Sequence, residues 1–515
     1  MKDRGDLLTR KAAPQSSTST ASDSAGDAPT APPHTTDAQG RSLHTPLKGF
    51  FKLAPGQAIG QAIGFAVLVL VARKVGPSNL GTYQFAVSAL TYFSLVANLG
   101  ITTLAVRDVT TNPERVRAIA GDVLVIRFTF AALSFASLLV LAPYITPSHS
   151  TAIVLDILGV ALIIEALTGE WLLQAYQRLG TIAIAALLRQ ITVGVLTALV
   201  LTVGFVGVER YAVVTVVGTV IASTMTAVAA IRIVGLPHIT FSVSRLYSRC
   251  RRSAPFSWSF IMIQVYYTTD YLLLGFLKSS NAVGQYGAAY RLPSIVIGVI
   301  SLWSTAAYPY LIRRGAAEPT TLQNYVSRTT SVALILAAAL LAITLPLGHA
   351  LMLEIFGPAF APAAPAFVIL MANAGVIIAS VNLMNVLLAV GDERHYAVAV
   401  TLGAIANTAL NFALIPSMGT TGAATATLCA EIIVFFYMLT RAQRITGPLS
   451  LDLTRVFRGL GAALVTGGIL FTFRNVLPAV GEAVIGGVIF IALALSLGVV
   501  RVDELLIWRA SKSRT

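Results

Sequence analysis

The sequence predicts an all-α, polytopic membrane protein: about 14 transmembrane helices in two pseudo-symmetric six-helix lobes, with two more helices near the C-terminus. Three observations carry that expectation. Hydrophobic residues make up 56% of the 515-residue chain and charged residues only 11%, with a mean hydropathy of +0.78. A soluble domain carries about 25% charged residues to face water. Apolar runs here repeatedly exceed the roughly 18 residues that mark a bilayer-spanning helix, which also excludes a β-barrel, whose strands are short and alternating. Finally, LGTYQFA at 80–86 and VGQYGAA at 283–289 both read Gly-x-Tyr-x-x-Ala, each after a polar break and at the start of a new apolar run.

Residues 1–45 are rich in Ser, Thr, Ala, Asp and Pro, with almost no large apolar side chain. Such a stretch cannot bury enough surface to fold and lacks the apolar core of a signal peptide, so it reads as a disordered cytoplasmic tail. Apolar segments follow at 51–72, 80–105, 119–142, 151–175, 181–204, 211–232, 254–277, 283–312, 329–350, 363–389, 396–416, 420–440, 456–474 and 479–500. The first six make an N-terminal lobe at 46–235, and a basic cytoplasmic linker spans 236–253. The next six make a C-terminal lobe at 254–441, the last two occupy 442–500, and a cytoplasmic tail closes the chain at 501–515. Cys250 and Cys429 fall on or near apolar segments and form no disulfide framework. The histidines are scattered with no i, i+4 pair, so no metal site is expected from them.

Sorting Lys and Arg by loop parity orients the chain. Of the 36, Arg73, Lys74, Arg210, Lys278 and Arg474 lie opposite the N-terminus, and Arg127, Arg189 and Arg291 lie within segments. All the rest, including SRLYSRCRR at 244–252 and RAQRI at 441–445, fall on the N-terminal side. The positive-inside rule then predicts a multi-pass protein of the cytoplasmic membrane with both termini in the cytoplasm. The net charge of +14 is thus a topology signal, with anionic lipid headgroups a lesser partner and no nucleic acid. The two Gly-x-Tyr motifs open the second and eighth segments, an even separation, so both run in the same direction. That is the pattern of a parallel repeat, and binding sites of transporters commonly lie between such halves.

Three stretches carry a family resemblance: ARKVGPSNLGTYQFA at 72–86, DYLLLGFLKSSNAVGQYGAAYRLP at 270–293 and NTALNFALIPSMGTTGAATATLCAE at 407–431. In order and at matching helices, they resemble the oligosaccharide flippases of the MOP exporter superfamily, often called polysaccharide biosynthesis proteins, over roughly residues 48–500. The resemblance implies alternating-access movement of an oligosaccharide on polyprenyl pyrophosphate from the inner to the outer leaflet, with no bond made or broken. It implies no cofactor, coupling to Na+ or H+, and a polysaccharide polymerase or ligase machinery as partner. The same superfamily holds lipid II flippases and multidrug exporters, so the fold does not name the substrate.

A sugar–pyrophosphate headgroup cannot cross hydrocarbon unaided, and charges inside the membrane by default mark such a pathway. The candidates are Asp122, Arg127, Asp156, Glu165, Glu170, Arg189, Asp270, Arg291 and Glu431. Arg291 lies about eight residues, roughly 12 Å, below the outer end of its segment, and a guanidinium can grip phosphate with paired donors. The resemblance adds that AYRL at 289–292 matches an arginine that lipid II flippases place in their cavity. Asp270 has the same depth on the neighbouring antiparallel segment, so Arg291 either binds substrate, pairs with Asp270, or exchanges one for the other. Arg127 and Arg189 lie nearer the inner face, and Glu165 matches Arg189 in depth, which predicts a Glu165–Arg189 pair. Gln57 and Gln61 flank a stripe of Gly56, Gly60 and Gly64 and either bond a neighbouring helix or line the cavity. Tyr267 sits on the seventh segment among Ser257, Ser259, Thr268 and Thr269 and is a platform for a sugar ring.

A second cluster joins Asp270 to Asn407 and Asn411, one turn apart, and to Thr427 at similar depth. Oxygen ligands around one carboxylate suit a hard cation. The spacing resembles a sodium site of lipid II flippases, which adds the carbonyl of Ala423, although Asn411 stands where that pattern has a carboxylate. Interhelical hydrogen bonding is the alternative. Two rival functions remain at this stage. A MATE-like exporter of small cations would favour cavity carboxylates, and a membrane polysaccharide polymerase or ligase would need a large outer loop, whereas no outer loop here exceeds roughly 15 residues.

Overall fold

The computed structural model describes residues 44–98, 100–204, 207–239, 242–315, 319–448, 450–474 and 476–499. The Ser/Thr-rich stretch up to residue 43 and the tail expected at 501–515 lie outside the described residues. The helices run, in order, α1 (His44–Asn98), α2 (Ile101–Thr111), α3 (Val116–Ile145), α4 (His149–Ala166), α5 (Glu170–Ala175), α6 (Leu179–Thr202) and α7 (Val208–Val234). They continue as α8 (Val243–Leu277), α9 (Ser280–Gly315), α10 (Pro319–Phe356), α11 (Ala364–Ala389), α12 (Glu393–Thr446), α13 (Leu453–Phe473) and α14 (Ala479–Ser496). Among the described residues, eleven stretches are long and apolar enough to cross a membrane, and the chain is a multi-pass membrane protein.

Helices α1 and α12 each contain two of the predicted segments. A straight helix of 55 residues would be about 80 Å long, nearly three times the roughly 30 Å hydrocarbon core, so it must fold back. It does so at Gly76 (φ 76°), and α12 does so at Gly419 (φ 58°). Both backbone angles lie in the left-handed region open to glycine. The segment expected at 80–105 ends earlier, because Gly100 (φ 64°) separates α1 from the short α2. The basic stretch expected as a separate linker is instead the beginning of α8, which runs unbroken from Val243.

Residues Leu47–Thr515 form one compact unit. Within it, α3, α4, α6 and α7 pack on one another, as do α8 to α12, while α13 and α14 lie against α10. The apolar cores show how the two sets meet. One large core joins Leu80, Phe85 and Leu138 from the first set with Tyr286, Phe356, Phe367 and Ile415 from the second. These residues cluster toward the end of the bundle that carries Arg73 and Lys278, the end poor in charge. Toward the other end the sets have separate cores: Ile101, Val116 and Trp171 in one, Leu322, Leu387 and Met438 in the other. The helices are therefore welded at the charge-poor end, while at the charge-rich end each set has its own core, with Leu246 and Cys250 of α8 packing onto that of the first set. Large apolar side chains such as Val140, Leu345 and Leu464 stand exposed on the outer faces, where only lipid would cover them without penalty.

Candidate functional site

The two Gly-x-Tyr motifs meet in space. A methyl group on Gly81 would lie 1.7 Å from the carbonyl oxygen of Ser280, and one on Gly284 would lie 1.8 Å from that of Pro77. Neither position tolerates a Cβ, so α1 and α9 cross backbone to backbone, the geometry that small residues permit. Ala86 and Ala289, the last residues of each motif, are fully buried. Further bonds hold the same end: Arg73 donates to the carbonyl oxygens of Glu354 and Ile355, Gln285 to that of Ala359 at 2.7 Å, and Lys278 to that of Pro416 at 2.7 Å.

Below this crossing lies a buried carboxylate. Asp270 on α8 is 2% exposed and accepts three bonds: from the Tyr286 hydroxyl at 2.6 Å, from Thr427 at 2.7 Å and from Asn411 Nδ2 at 2.5 Å. Asn411 Nδ2 also reaches Asn407 Oδ1 at 3.0 Å, and Thr427 Oγ1 lies 2.9 Å from the carbonyl oxygen of Ala423. Every residue expected in the cation cluster is thus in place. Asn411 Oδ1, however, is buried with no hydrogen-bond partner. Rotating that amide would turn its oxygen toward the oxygens of Asp270 and Asn407, an arrangement that only a cation between them would favour. The oxygens of Asp270, Asn407, Thr427 and the Ala423 carbonyl are of the type a hard cation takes, while the Asn411 amide here donates to Asp270 and Asn407.

Asp270 does not pair with Arg291, although the two share a depth. Tyr286 occupies that place, since it also lies about two turns inside the hairpin between α8 and α9. Arg291 follows five residues later, about 140° further round the helix at 3.6 residues per turn, and so faces elsewhere. Tyr286 was legible as the tyrosine of the second motif, but depth alone says nothing about azimuth. Arg291 is half-buried, its Nε has no hydrogen-bond partner, and no carboxylate pairs with it among the described residues. It reaches across to the first set of helices. A methyl group on Gly64 would come within 3.5 Å of Arg291 Nη2 and 3.1 Å of Gln190 Nε2. The glycine stripe of α1 thus admits Gln190 of α6 and Arg291 together, and the Tyr83–Tyr211 ring pair, 4.8 Å apart, lies within Coulombic range of Arg291 and Arg189.

The other arginines separate. Arg127 on α3 is buried, and its Nη2 donates to the backbone carbonyl of Glu165 at 2.5 Å, leaving Nε and Nη1 unpartnered. Arg189 on α6 is exposed. The expected Glu165–Arg189 pair is absent among the described residues; both Arg127 and Arg189 lie within Coulombic range of the Glu165 carboxylate without closing on it. Asp122 is claimed by Arg249 at 3.0 Å, which also binds Asp108 at 2.9 Å, so the first turns of α8 are tied to α2 and α3. Gln61 is exposed, and the side chain of Gln57 lies outside the described residues. Tyr267 is 41% exposed and stands edge-on to Tyr266, whose hydroxyl donates to the buried Glu431 at 2.7 Å. That Tyr266–Glu431 bond went unforeseen, because it joins helices 165 residues apart with no shared motif.

Residues 47–314 match the model of the family described as polysaccharide biosynthesis protein. That span covers more than half of the 515 residues. The chain belongs to this family. Solved structures share its fold. A structure described as the lipid II flippase MurJ in an inward closed conformation superposes with a TM-score of 0.73 at 13% identity, covering 88% of this chain and 100% of that one. An inward-facing multidrug resistance MATE family transporter of the MOP superfamily gives 0.61 at 14% identity over 76% of this chain and 98% of that one. A MOP superfamily transporter from Pyrococcus furiosus gives 0.55 at 16% identity over 78% and 96%. No curated protein sequence matches the chain significantly. This member of the polysaccharide biosynthesis family therefore has the all-α fold of MOP transporters, with its two motif glycines at the weld of the bundle.

Proposed function

We propose that the protein is a flippase that carries a polyprenyl-pyrophosphate-linked oligosaccharide across the cytoplasmic membrane by alternating access. One observation carries this reading: Arg291, half-buried on α9, reaches the α1–α6 surface with an Nε that has no hydrogen-bond partner and with no acidic partner among the described residues. An unpaired guanidinium at membrane depth is costly and marks a place where an anion is expected. A pyrophosphate suits it, because paired N–H donors match phosphate oxygens and the group stays charged when partly dehydrated. The family match supports a glycan substrate.

The distribution of cores supplies the path. The helix sets are joined near Gly81 and Gly284 and centre on different cores toward the charge-rich end, where only the first turns of α8 bridge them among the described residues; the positive-inside rule assigns that end to the cytoplasm together with both termini. The headgroup would come in from that side, pass Arg189, which lies nearer the inner face, and meet Arg291, with Tyr267 also beside the route, while the lipid chain stays in the bilayer. Opening the weld and closing the cytoplasmic end would release it outward. No bond is made or broken. We assign coupling to a monovalent cation at Asp270, Asn407, Asn411, Thr427 and the Ala423 carbonyl, and delivery of the product to a polymerase or ligase. The buried carboxylates argue against an exporter of cationic drugs, since Asp270 is already held by three donors and Glu431 by Tyr266.

The test is reconstitution in vesicles with fluorescent polyprenyl-pyrophosphate oligosaccharide. Arg291→Gln should abolish movement to the opposite leaflet while the protein still inserts and folds. Undiminished transport by that variant would remove Arg291, and with it this reading of the site.

A further inference from the structure

We propose that Gln190 and the bare α-carbon of Gly64 complete the anion site of Arg291, so that one phosphate of the carrier lipid is held between the two helix sets. The inference rests on the flippase reading and adds a second group to its binding site. Packing of α6 on α1 puts Gln190 there. Val193 shares a core with Val67 and Val71, and a methyl group on Gly194 would lie 3.3 Å from Val67 and 3.6 Å from Ile63. One turn earlier on the same face, Gln190 runs along the glycine stripe of α1. Its Cγ lies 4.0 Å from the place a methyl group on Gly60 would take, and its Nε2 lies 3.1 Å from the corresponding place on Gly64. Arg189, the preceding residue, is about 100° round the helix, with its Cγ 3.4 Å from the methyl position of Gly218 on α7. It faces elsewhere.

Two donors thus converge on one point. Gln190 Nε2 and Arg291 Nη2 lie 3.1 Å and 3.5 Å from the position that a Gly64 methyl group would fill. The Gln190 side chain makes no hydrogen bond with any described residue, and Arg291 has no acidic partner among them. The groups within Coulombic range of the guanidinium are the hydroxyls of Tyr83, Tyr211 and Tyr271, with no carboxylate beside them. Two N–H groups that face each other without an acceptor repel, and an anionic oxygen between them satisfies both. Any side chain at residue 64 would occupy that point, whereas glycine lets a ligand approach the backbone. The amide supplies its donor without a second buried charge, which the membrane would penalise. Because Gln190 belongs to α6 and Arg291 to α9, a phosphate that both hold ties the first helix set to the second. A phosphate suits donors that arrive from two helices, because its oxygens point in several directions.

The full-length protein in phosphatidylcholine nanodiscs is titrated with fluorescent polyprenyl pyrophosphate and with the uncharged polyprenol of the same length. The ratio of the two affinities isolates recognition of phosphate. A hydrogen bond to a charged group is worth about a factor of ten or more, so Gln190→Leu should cut that ratio about tenfold. Its melting temperature should hold, there being no hydrogen bond within the protein to lose. Gly64→Ala should cut the ratio similarly, and Gly60→Ala, where only the Gln190 Cγ comes within 4.0 Å, should leave it unchanged. Gln190→Glu, of the same size, sets a carboxylate against the phosphate and should lower the ratio further. An undiminished ratio in Gln190→Leu or Gln190→Glu, with loss only in Arg291→Gln, would overturn this inference and leave the flippase reading standing. Equal losses in Gly60→Ala and Gly64→Ala would reduce both to helix packing and overturn it as well. A ratio near one in the unmutated protein would remove the phosphate site altogether, and the flippase reading with it.

Discussion

Gly81 and Gly284, equivalent residues of two copies of one motif, face each other so closely that neither could carry a side chain: the added carbon would lie 1.7 Å from Ser280 O in one case and 1.8 Å from Pro77 O in the other. The repeat is thus also a contact, and the contact closes the charge-poor end of the bundle. Gly284→Val should hold that end apart. Thr82, 5% exposed beside the crossing, reports on it. A Thr82→Cys probe should react with a membrane-impermeant maleimide about tenfold faster in the Gly284→Val background, with transport lost. Unchanged labelling would mean that the crossing is not a closure.

Arg127 and Arg291 are both buried or half-buried, but their surroundings predict different behaviour. Arg127 has one partner and two unsatisfied nitrogens, and exchanging a poorly compensated buried charge for an apolar side chain of similar volume is often neutral or stabilising. Arg127→Met should leave the melting temperature unchanged or raised. If transport also persists, the substrate role expected for Arg127 falls away. A large loss of stability would show instead that its bond to the Glu165 carbonyl holds α3 to α4.

Asp270 anchors three donors, one from α9 and one from each arm of α12, so its removal should be felt in stability as well as in transport. Asp270→Ala leaves the Tyr286 and Thr427 hydroxyls and the Asn411 amide without their acceptor, and each unsatisfied buried donor costs about 1–3 kcal/mol. Thermal melts should fall accordingly. If the oxygens form a cation site, the melting temperature of the unmutated protein should rise with sodium relative to potassium, and Asn411→Asp should strengthen that dependence. Indifference to the cation in both proteins would leave the cluster as an interhelical bond network alone.

A pH effect is expected outside the membrane segments, where Arg441 Nε and His395 Nδ1 each lie 2.6 Å from the Asp392 carboxylate. Burial pushes this carboxyl up, but the hydrogen bonds from Arg441 and His395 outweigh it and hold it below the usual carboxylate range. A folded-state value below the unfolded one means that the stabilisation is complete above the unfolded carboxylate value, about 3.9. It is lost as pH falls through the folded value. Arg441→Gln should therefore melt lower than the unmutated protein at pH 6, and the difference should vanish once the pH has fallen through the folded value. A gap that persists there would have to come from packing.

The sequence by itself determined the helices, their number and the places where the chain turns back. Apolar length and glycine or charge at the breaks are local properties, and a backbone in lipid has almost no alternative to a helix. It also determined the membership of the Asp270 cluster, because Asn407 and Asn411 share a helix face and Thr427 lies across a single bend. Only the tertiary structure decided which charges meet. Depth can be counted along a chain, but the direction in which a side chain points depends on helix rotation and crossing, which neighbouring helices set. Hence Asp270 went to Tyr286 rather than Arg291, Glu165 offered its carbonyl to Arg127 rather than its carboxylate to Arg189, and Asp122 was taken by Arg249 from the start of α8. The two glycine motifs could be read as a repeat from the letters alone; that they touch is a property of the packed bundle.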